Sequence, residues 1–472
     1  MFKIADQLVT LRRNEKTILF NANQVNPIFI EKGEKEIFAF IENFRKEDIV
    51  KYIFNDNESL SMFNFLQDHH IIIQSNDNDN NSPGHNCTYE CNKNKKAEQR
   101  SLYLLVSQDC NQGCIYCLNG KESYRNNHPS LMMDEKTCYQ AIRTVLDQIT
   151  DDGKLDLVFF GGEPLLNWDL VKKAILYCET TLKGQYTNKT FHYHLTTNLT
   201  IFPDDLIKYV KKYNISFLVD IDGPEEIHNF QRPFVDGRGS FKTSVNNIKQ
   251  LIDEGIDVSL RATITSHNHN CLPDIARTHK DIGGSGCAFV PLNVVDSDGT
   301  VFPETLCPTP KMLKQGLLEV YNSGLWPVEK LFPFNEYQQR LTPGYHNKWG
   351  CGAPFGNTPV ITVDGKIFSC IYLVENKAYE VGDIWANDFP RRDVIQYMLD
   401  TIHIDDRQGC QNCGYRNLCG GGCPVGLYAI ENNPEASDFI KRYTKTIACT
   451  VSKTVIEALM WDIGNNIFNT KK

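Results

Sequence analysis

From residue 101 to residue 294 six short apolar runs alternate with five amphipathic stretches, joined by loops. The apolar runs fall at 102–106, 155–160, 191–196, 215–221, 258–263 and 288–294, with helical periodicity near 135–149, 170–182, 203–212, 241–253 and 272–280. Strands separated by helix-length stretches cannot pair as hairpins, so they lie parallel with helices covering the sheet. Six such units predict an α/β fold, an open or partial (β/α)6 barrel, with its chemistry on the loops after the strand C-termini.

The rest of the 472 residues divides around this core at 101–295. Residues 1–74 hold apolar runs at 17–20 and 27–30, helical periodicity through Ile37, Phe38, Ile41 and Phe44, and a strand-like end at 70–74. That pattern predicts a small α+β domain. Residues 75–100 are polar and Asn-rich, the composition of a linker. A bridging region, 296–345, leads to a domain at 346–472 that is rich in Gly and Cys, with one closing helix expected at 451–463. A stretch so poor in apolar periodicity needs a staple, and metal is the one its composition offers.

Composition narrows the chemistry. With 41% hydrophobic and 23% charged residues the chain can bury cores of normal size, and no window of transmembrane length lacks charges. The net charge of -9 gives no basic footprint for a phosphate backbone, so neither nucleic acid nor membrane is expected as a partner. No apolar export segment opens the chain, and a cytoplasmic location is expected. In a reducing compartment, 17 cysteines point to metal or redox chemistry.

Two motifs sit where an active-site loop belongs. Cys110, Cys114 and Cys117 form CxxxCxxC directly after the first strand; three thiolates so spaced can wrap one corner of a cuboidal cluster and leave its fourth iron without a protein ligand. A zinc knuckle is the plainer alternative, although zinc sites more often add a distant second pair. Gly161, Gly162, Glu163 and Pro164 follow the second strand, where glycines let a ligand approach the backbone and a carboxylate can hold an ammonium group.

CxxxCxxC after the first strand and GGEP after the second resemble the radical S-adenosylmethionine (radical SAM) superfamily. The resemblance implies that Cys110, Cys114 and Cys117 hold a 4Fe-4S cluster whose open iron chelates S-adenosylmethionine. It further implies that Tyr116 packs near the adenine and that Gly161 to Pro164 line the methionine amino group. Asn198, closing the HLTTN segment, resembles the strand end beside the ribose, and Asp220 stands where the family usually has Ser. Arg261 is a candidate for the cofactor carboxylate, because a guanidinium fork binds carboxylates bidentately. Asp222 and His228, also in this stretch, read as loop structure.

The C-terminal cysteines resemble the SPASM extension of that superfamily, which carries auxiliary iron-sulfur clusters. By that resemblance Cys410, Cys413, Cys419 and Cys449 hold one 4Fe-4S cluster, and Cys351, Cys370 and Cys423 hold a second, making three in all. The second is one ligand short, so Cys287, Cys307 or a distant residue completes it, or its iron is open to a substrate thiolate; the open site is preferred. Two zinc ions are the plainer alternative. Cys138 and Cys178 read as buried packing residues, and Cys87 and Cys91 lie in the linker with no catalytic role expected.

SPASM enzymes mostly modify peptides, and residues 1–74 resemble the winged-helix-like element that binds leader peptides of ribosomally made precursors by adding them to a sheet edge. The expected function is therefore a peptide maturase that forms a thioether cross-link through a 5'-deoxyadenosyl radical, fed electrons by a flavodoxin or ferredoxin. Alternatives are a carbon-carbon cross-link, formylglycine formation in a sulfatase, or a non-enzymatic iron-sulfur or zinc-stapled peptide-binding scaffold.

Overall fold

The computed structural model describes residues 2–46, 57–74, 96–117, 131–293, 303–342, 345–374, 376–431 and 437–470. Cys87, Cys91 and most of the expected linker lie outside them. Five strands open the chain: β1 (Phe2–Ile4), β2 (Leu8–Arg13), β3 (Lys16–Asn21), β4 (Gln24–Ile30) and β5 (Ile72–Gln74). β2, β3 and β4 form an antiparallel sheet, and β1 pairs with β5 beyond the helices Glu34–Lys46 and Asn57–Asp68.

β3 reads as an unbroken apolar run because both its faces are covered. Leu19 packs with Ile37, Ile41 and Phe44 of the first helix, whereas Ile18 and Phe20 face Tyr415, Leu418, Val455 and Leu459 of the C-terminal region. Alternation along a strand sends neighbours to opposite faces, so this one sheet belongs to two cores.

The six expected core strands are all present: β6 (Ala97–Ser107), β7 (Ile149–Gly161), β8 (Thr190–Thr197), β9 (Ser216–Asp220), β10 (Val258–Ile264) and β11 (Gly286–Pro291). They pair in sequence order and in parallel. Local chemistry sets the helix ends: Asp134 caps Glu135–Leu146 by accepting from the Thr137 N–H at 2.7 Å, and Gly283 ends Leu272–Ile282 at φ 97°. The expected helix over 170–182 instead runs Trp168–Leu176 and continues as a π turn, Tyr177–Leu182. Cys138 and Cys178 are fully buried packing residues.

The sheet does not stop at the core. β12 (Leu331–Phe332), from the bridging region, adds in parallel to β11, and β13 (Val360–Ile361) adds in parallel to β6. β14 (Lys366–Phe368) and β15 (Glu380–Asp383) extend that edge antiparallel, giving ten strands in one open sheet. The Cys-rich region therefore shares the main apolar core, contributing Ile395, Met398, Leu399 and Tyr428, rather than resting on a metal staple alone. The closing helix is longer than expected, Asp438–Thr470, and carries Cys449. Among the described residues no helix is long and apolar enough to cross a membrane.

Candidate active site

The C-terminal ends of the core strands converge on a cavity of about 410 Å³, a normal size for a small-molecule site. Cys110, Cys114 and Cys117 line it together with Tyr116, Gly161, Gly162, Asn198, Asp220 and Arg261. These are the expected cofactor and cluster residues, with Glu163 and Pro164 left out. Strand alternation explains the selection: on β10, Arg261 and Thr263 face the cavity while Leu260 and Ala262 face the packed core.

The two glycines line the cavity and also meet the chain's own backbone. Gly162 N–H donates to the Ser107 carbonyl at 2.7 Å and Glu163 N–H to that of Asp109 at 2.8 Å, so the loop after β7 lies backbone to backbone on the segment entering Cys110. A Cβ on Gly161, which sits at φ 136°, would overlap the Ser107 carbonyl, and one on Gly162 would overlap that of Asp109. The glycines thus admit the chain's own backbone.

Glu163 points away from the cavity. Its carboxylate accepts from the Thr197 hydroxyl at 2.6 Å, the Asn198 N–H at 2.8 Å and the Leu165 N–H at 3.0 Å, fastening the loop to the end of β8. Burial raises its pKa from 4.5 to about 7 against those three donors. The expectation that this side chain meets an ammonium group is corrected: it is a buried cap for the turn Pro164–Asn167.

Arg261 holds a carboxylate, but the chain's own. Its Nε donates to Asp220 Oδ1 at 2.6 Å and its Nη2 to Oδ2 at 3.1 Å, and Arg232 Nη2 reaches the same Oδ2 at 3.2 Å. Burial acts to raise the Asp220 carboxyl, but the two guanidiniums outweigh it and hold it below the usual range. Arg232 also donates to the Tyr116 hydroxyl at 2.7 Å, and that hydroxyl donates to Asp222 Oδ2, so the tyrosine hydroxyl is fixed in a buried network. Asp222 further accepts from Gln231 and from the Thr263 N–H, both at 3.0 Å. Burial keeps His228 neutral, with its pKa lowered to about 3, and its ring joins the Asp222 N–H to Ser240. Arg232 and Tyr372 also line the cavity; Arg232 belongs to the same family-like stretch as Asp222 and His228 but has no cofactor role in the sequence reading, and Tyr372 escaped it. For Arg232 the signal was its place at the end of the helix after the Asp-Gly-Pro turn; Tyr372 follows Cys370 by two residues.

Burial holds the Cys110 and Cys114 thiols protonated while no metal is bound. Cys110 Sγ accepts from the Gln112 N–H at 3.4 Å and lies 3.7 Å from Asn198 Nδ2. Burial pushes the Cys110 thiol up to about 12, and raises Cys114 too, each partly offset by Arg232. Buried thiols of this kind ionise when a metal arrives to take the charge. Among the C-terminal cysteines burial raises the Cys449 thiol, with the charges of Cys419, Cys410 and Cys413 adding to it, and raises Cys370, with Cys423 and Cys351 adding to it. Cys351 and Cys370 line the same cavity as Cys110. Among the described residues no three such side chains converge tightly enough for a single metal ion.

A parallel α/β partial barrel with three cysteines on the loop after its first core strand is the architecture of radical SAM proteins. Residues 104–279 match the Radical SAM superfamily. It is 22% identical over 269 residues to the radical SAM cyclopropyl synthase TigE of Paramaledivibacter caminithermalis, covering 52% of this chain and 55% of that one. It is also 22% identical over 361 residues to the serine-type anaerobic sulfatase-maturating enzyme of Klebsiella aerogenes, covering 74% and 85%. The chain spans about half the length of the first of these and of a further curated relative. The fold is shared with a solved structure described as anSMEcpe with bound AdoMet, at TM-score 0.62 and 18% identity, covering 78% of this chain and 96% of that one. The family implies S-adenosylmethionine and one 4Fe-4S cluster as cofactors.

Proposed function

We propose that the chain is a maturase that modifies a ribosomally made precursor peptide, forming a thioether from a Cys sulfur to a carbon of another residue. The observation that carries this reading is the single cavity lined by both Cys110, Cys114, Cys117 and the auxiliary cysteines Cys351 and Cys370. A peptide in that cavity touches both groups. When bound, the radical cluster supplies the electron that cleaves S-adenosylmethionine and so yields the radical that takes a substrate hydrogen. The chain's own part is to position and to exclude water. Cys110, Cys114 and Cys117 would hold the radical cluster, Asn198 supports Cys110, and Gly161 and Gly162 set the floor beside it. Cys351, Cys370 and Cys423, and Cys410, Cys413, Cys419 and Cys449, would hold auxiliary clusters that accept the electron left after bond formation. Residues 1–74 would bind the leader, and a flavodoxin or ferredoxin would supply electrons.

The relatives named as sulfatase-maturating enzymes favour a second reading, formylglycine formation in a protein substrate. The two separate by product. Anaerobic incubation of the reconstituted chain with a Cys-containing precursor peptide should give 5'-deoxyadenosine and a peptide lighter by one hydrogen pair. Formylglycine from a sulfatase peptide, with no cross-link in the precursor peptide, would reverse the choice. Cys114→Ala should abolish 5'-deoxyadenosine formation, and normal cleavage by that variant would sink the radical-site assignment.

A further inference from the structure

Seven cysteines leave one auxiliary cluster a ligand short, and neither reserve thiol lines either of the two cavities on which its cysteines lie. Cys287 stands opposite Leu260 and Leu331 inside the sheet, and Cys307 is buried beside Pro303. A second cavity, about 230 Å³, adjoins the first and shares Val290, Pro291, Leu292, Asn293 and Tyr372 with it. Among the described residues that line it, Cys423 is the sole thiol and Glu336 the sole carboxylate.

Glu336 lies on the helix Phe334–Arg340, which the sequence reading treated only as part of a bridge. One turn on, Arg340 pairs with its Oε1 and also donates to the carbonyls of Leu418 at 3.1 Å, Cys419 at 3.2 Å and Gly350 at 3.4 Å. Gly350 precedes Cys351, so Arg340 ties this face of the helix to both groups of cysteines. The same Nη2 of Arg340 that pairs with Glu336 Oε1 reaches the Gly350 carbonyl, which sets the carboxylate beside the residue before Cys351, and the shared cavity sets it on the wall that Cys423 lines.

We propose that Glu336 is the fourth protein ligand of the cluster held by Cys351, Cys370 and Cys423. This rests on the auxiliary-cluster reading above and replaces the open iron that the cysteine count suggests. A carboxylate is anionic with two oxygens, so one can pair with Arg340 while the other meets iron. The guanidinium then orients the ligand, as outer partners of metal ligands do.

The test is iron and sulfide content with Mössbauer spectra of the full chain, reconstituted anaerobically with Cys110, Cys114 and Cys117 all changed to Ala so that only auxiliary iron is read. With Glu336 intact, about eight irons should survive a challenge with ferricyanide and EDTA. Glu336→Gln should lose about one of them and show a three-iron cluster. Glu336→Cys should keep them all and convert the oxygen-ligated iron signal to a thiolate one. Because a thiol does not rebuild the carboxylate pair with Arg340, that rescue separates ligation from helix packing. Equal retention and unchanged spectra in Glu336→Gln, or iron loss in Glu336→Cys, would overturn the proposal. Iron near zero in the triple variant itself would remove the auxiliary cluster and this ligand with it, while cleavage of S-adenosylmethionine by the parent chain still reports the radical site.

Discussion

Asp220 and Arg261 stand opposite each other in register on β9 and β10, and their side chains close a two-bond fork at the cavity wall. Arg232 completes the set from the other side, its side chain 8% exposed against 11% for Asp220. One carboxylate thus satisfies two sunken guanidiniums. Asp220→Ser should leave Arg261 without its carboxylate and Arg232 with Asp222 alone, and cost about 3–5 kcal/mol. Urea unfolding checks this. Adding Arg261→Leu should return part of the loss, whereas a neutral Asp220→Ser would mean that the pair is solvated and structurally idle.

Glu163 makes stability depend on pH in an unusual direction. Its folded pKa of about 7 lies above its ordinary 4.5, so the folded state binds the proton more tightly. The linked stability is fully present below 4.5 and is lost as pH rises through 7, a contribution of at most about 3 kcal/mol. Denaturant midpoints of the wild type should therefore carry a falling component between pH 5 and 7.5. In Glu163→Gln, which keeps the shape and cannot ionise, that component should be absent. Identical pH profiles for the two would show that the three donors keep Glu163 ionised throughout.

Gly162 binds the first motif to the second. Since a Cβ there meets the Asp109 carbonyl, and that carbonyl is followed directly by Cys110, Gly162→Ala must displace the cysteine loop. Iron in the radical site should fall at least several-fold and 5'-deoxyadenosine formation with it, while the thermal midpoint drops by a few degrees, as expected for about 1–3 kcal/mol of overpacking. Iron content on an anaerobic column separates a distorted loop from an intact cluster with a blocked cofactor.

The core strands were legible because each is an apolar run set off by helix-length spacing, a period that survives without tertiary context. The C-terminal strands were not: β13 has two residues and β14 three, too short for any alternation to show. The cavity residues were legible by type and position, but not by partner. Arg261 reads as a carboxylate binder from its chemistry, and only the β9 to β10 register reveals that the carboxylate is Asp220. Likewise GGEP announces a tight loop, whereas the atoms that crowd it belong to residues 107–109, some fifty positions earlier.

The N-terminal sheet is wedged against the loop that carries Cys410, Cys413 and Cys419. Asn23 Oδ1 accepts from Arg416 Nη2 and Asn417 Nδ2, both at 3.0 Å; Gln7 donates to the Gln411 carbonyl at 3.0 Å; and Gly414 has no room for a Cβ beside Val9. Ile18 and Phe20 lie under the closing helix, so deleting 1–74 would strip an apolar face and confuse leader binding with unfolding. Asn23→Ala is the cleaner probe. It leaves the buried Arg416 and Asn417 short of an acceptor, at a cost of about 1–3 kcal/mol. Because both lie between Cys413 and Cys419, iron should leave the C-terminal region faster under EDTA while the radical-site iron stays. Parallel release from both regions would mean that the strain spreads through the shared core, and unchanged release would mean that this loop holds its shape without the N-terminal sheet.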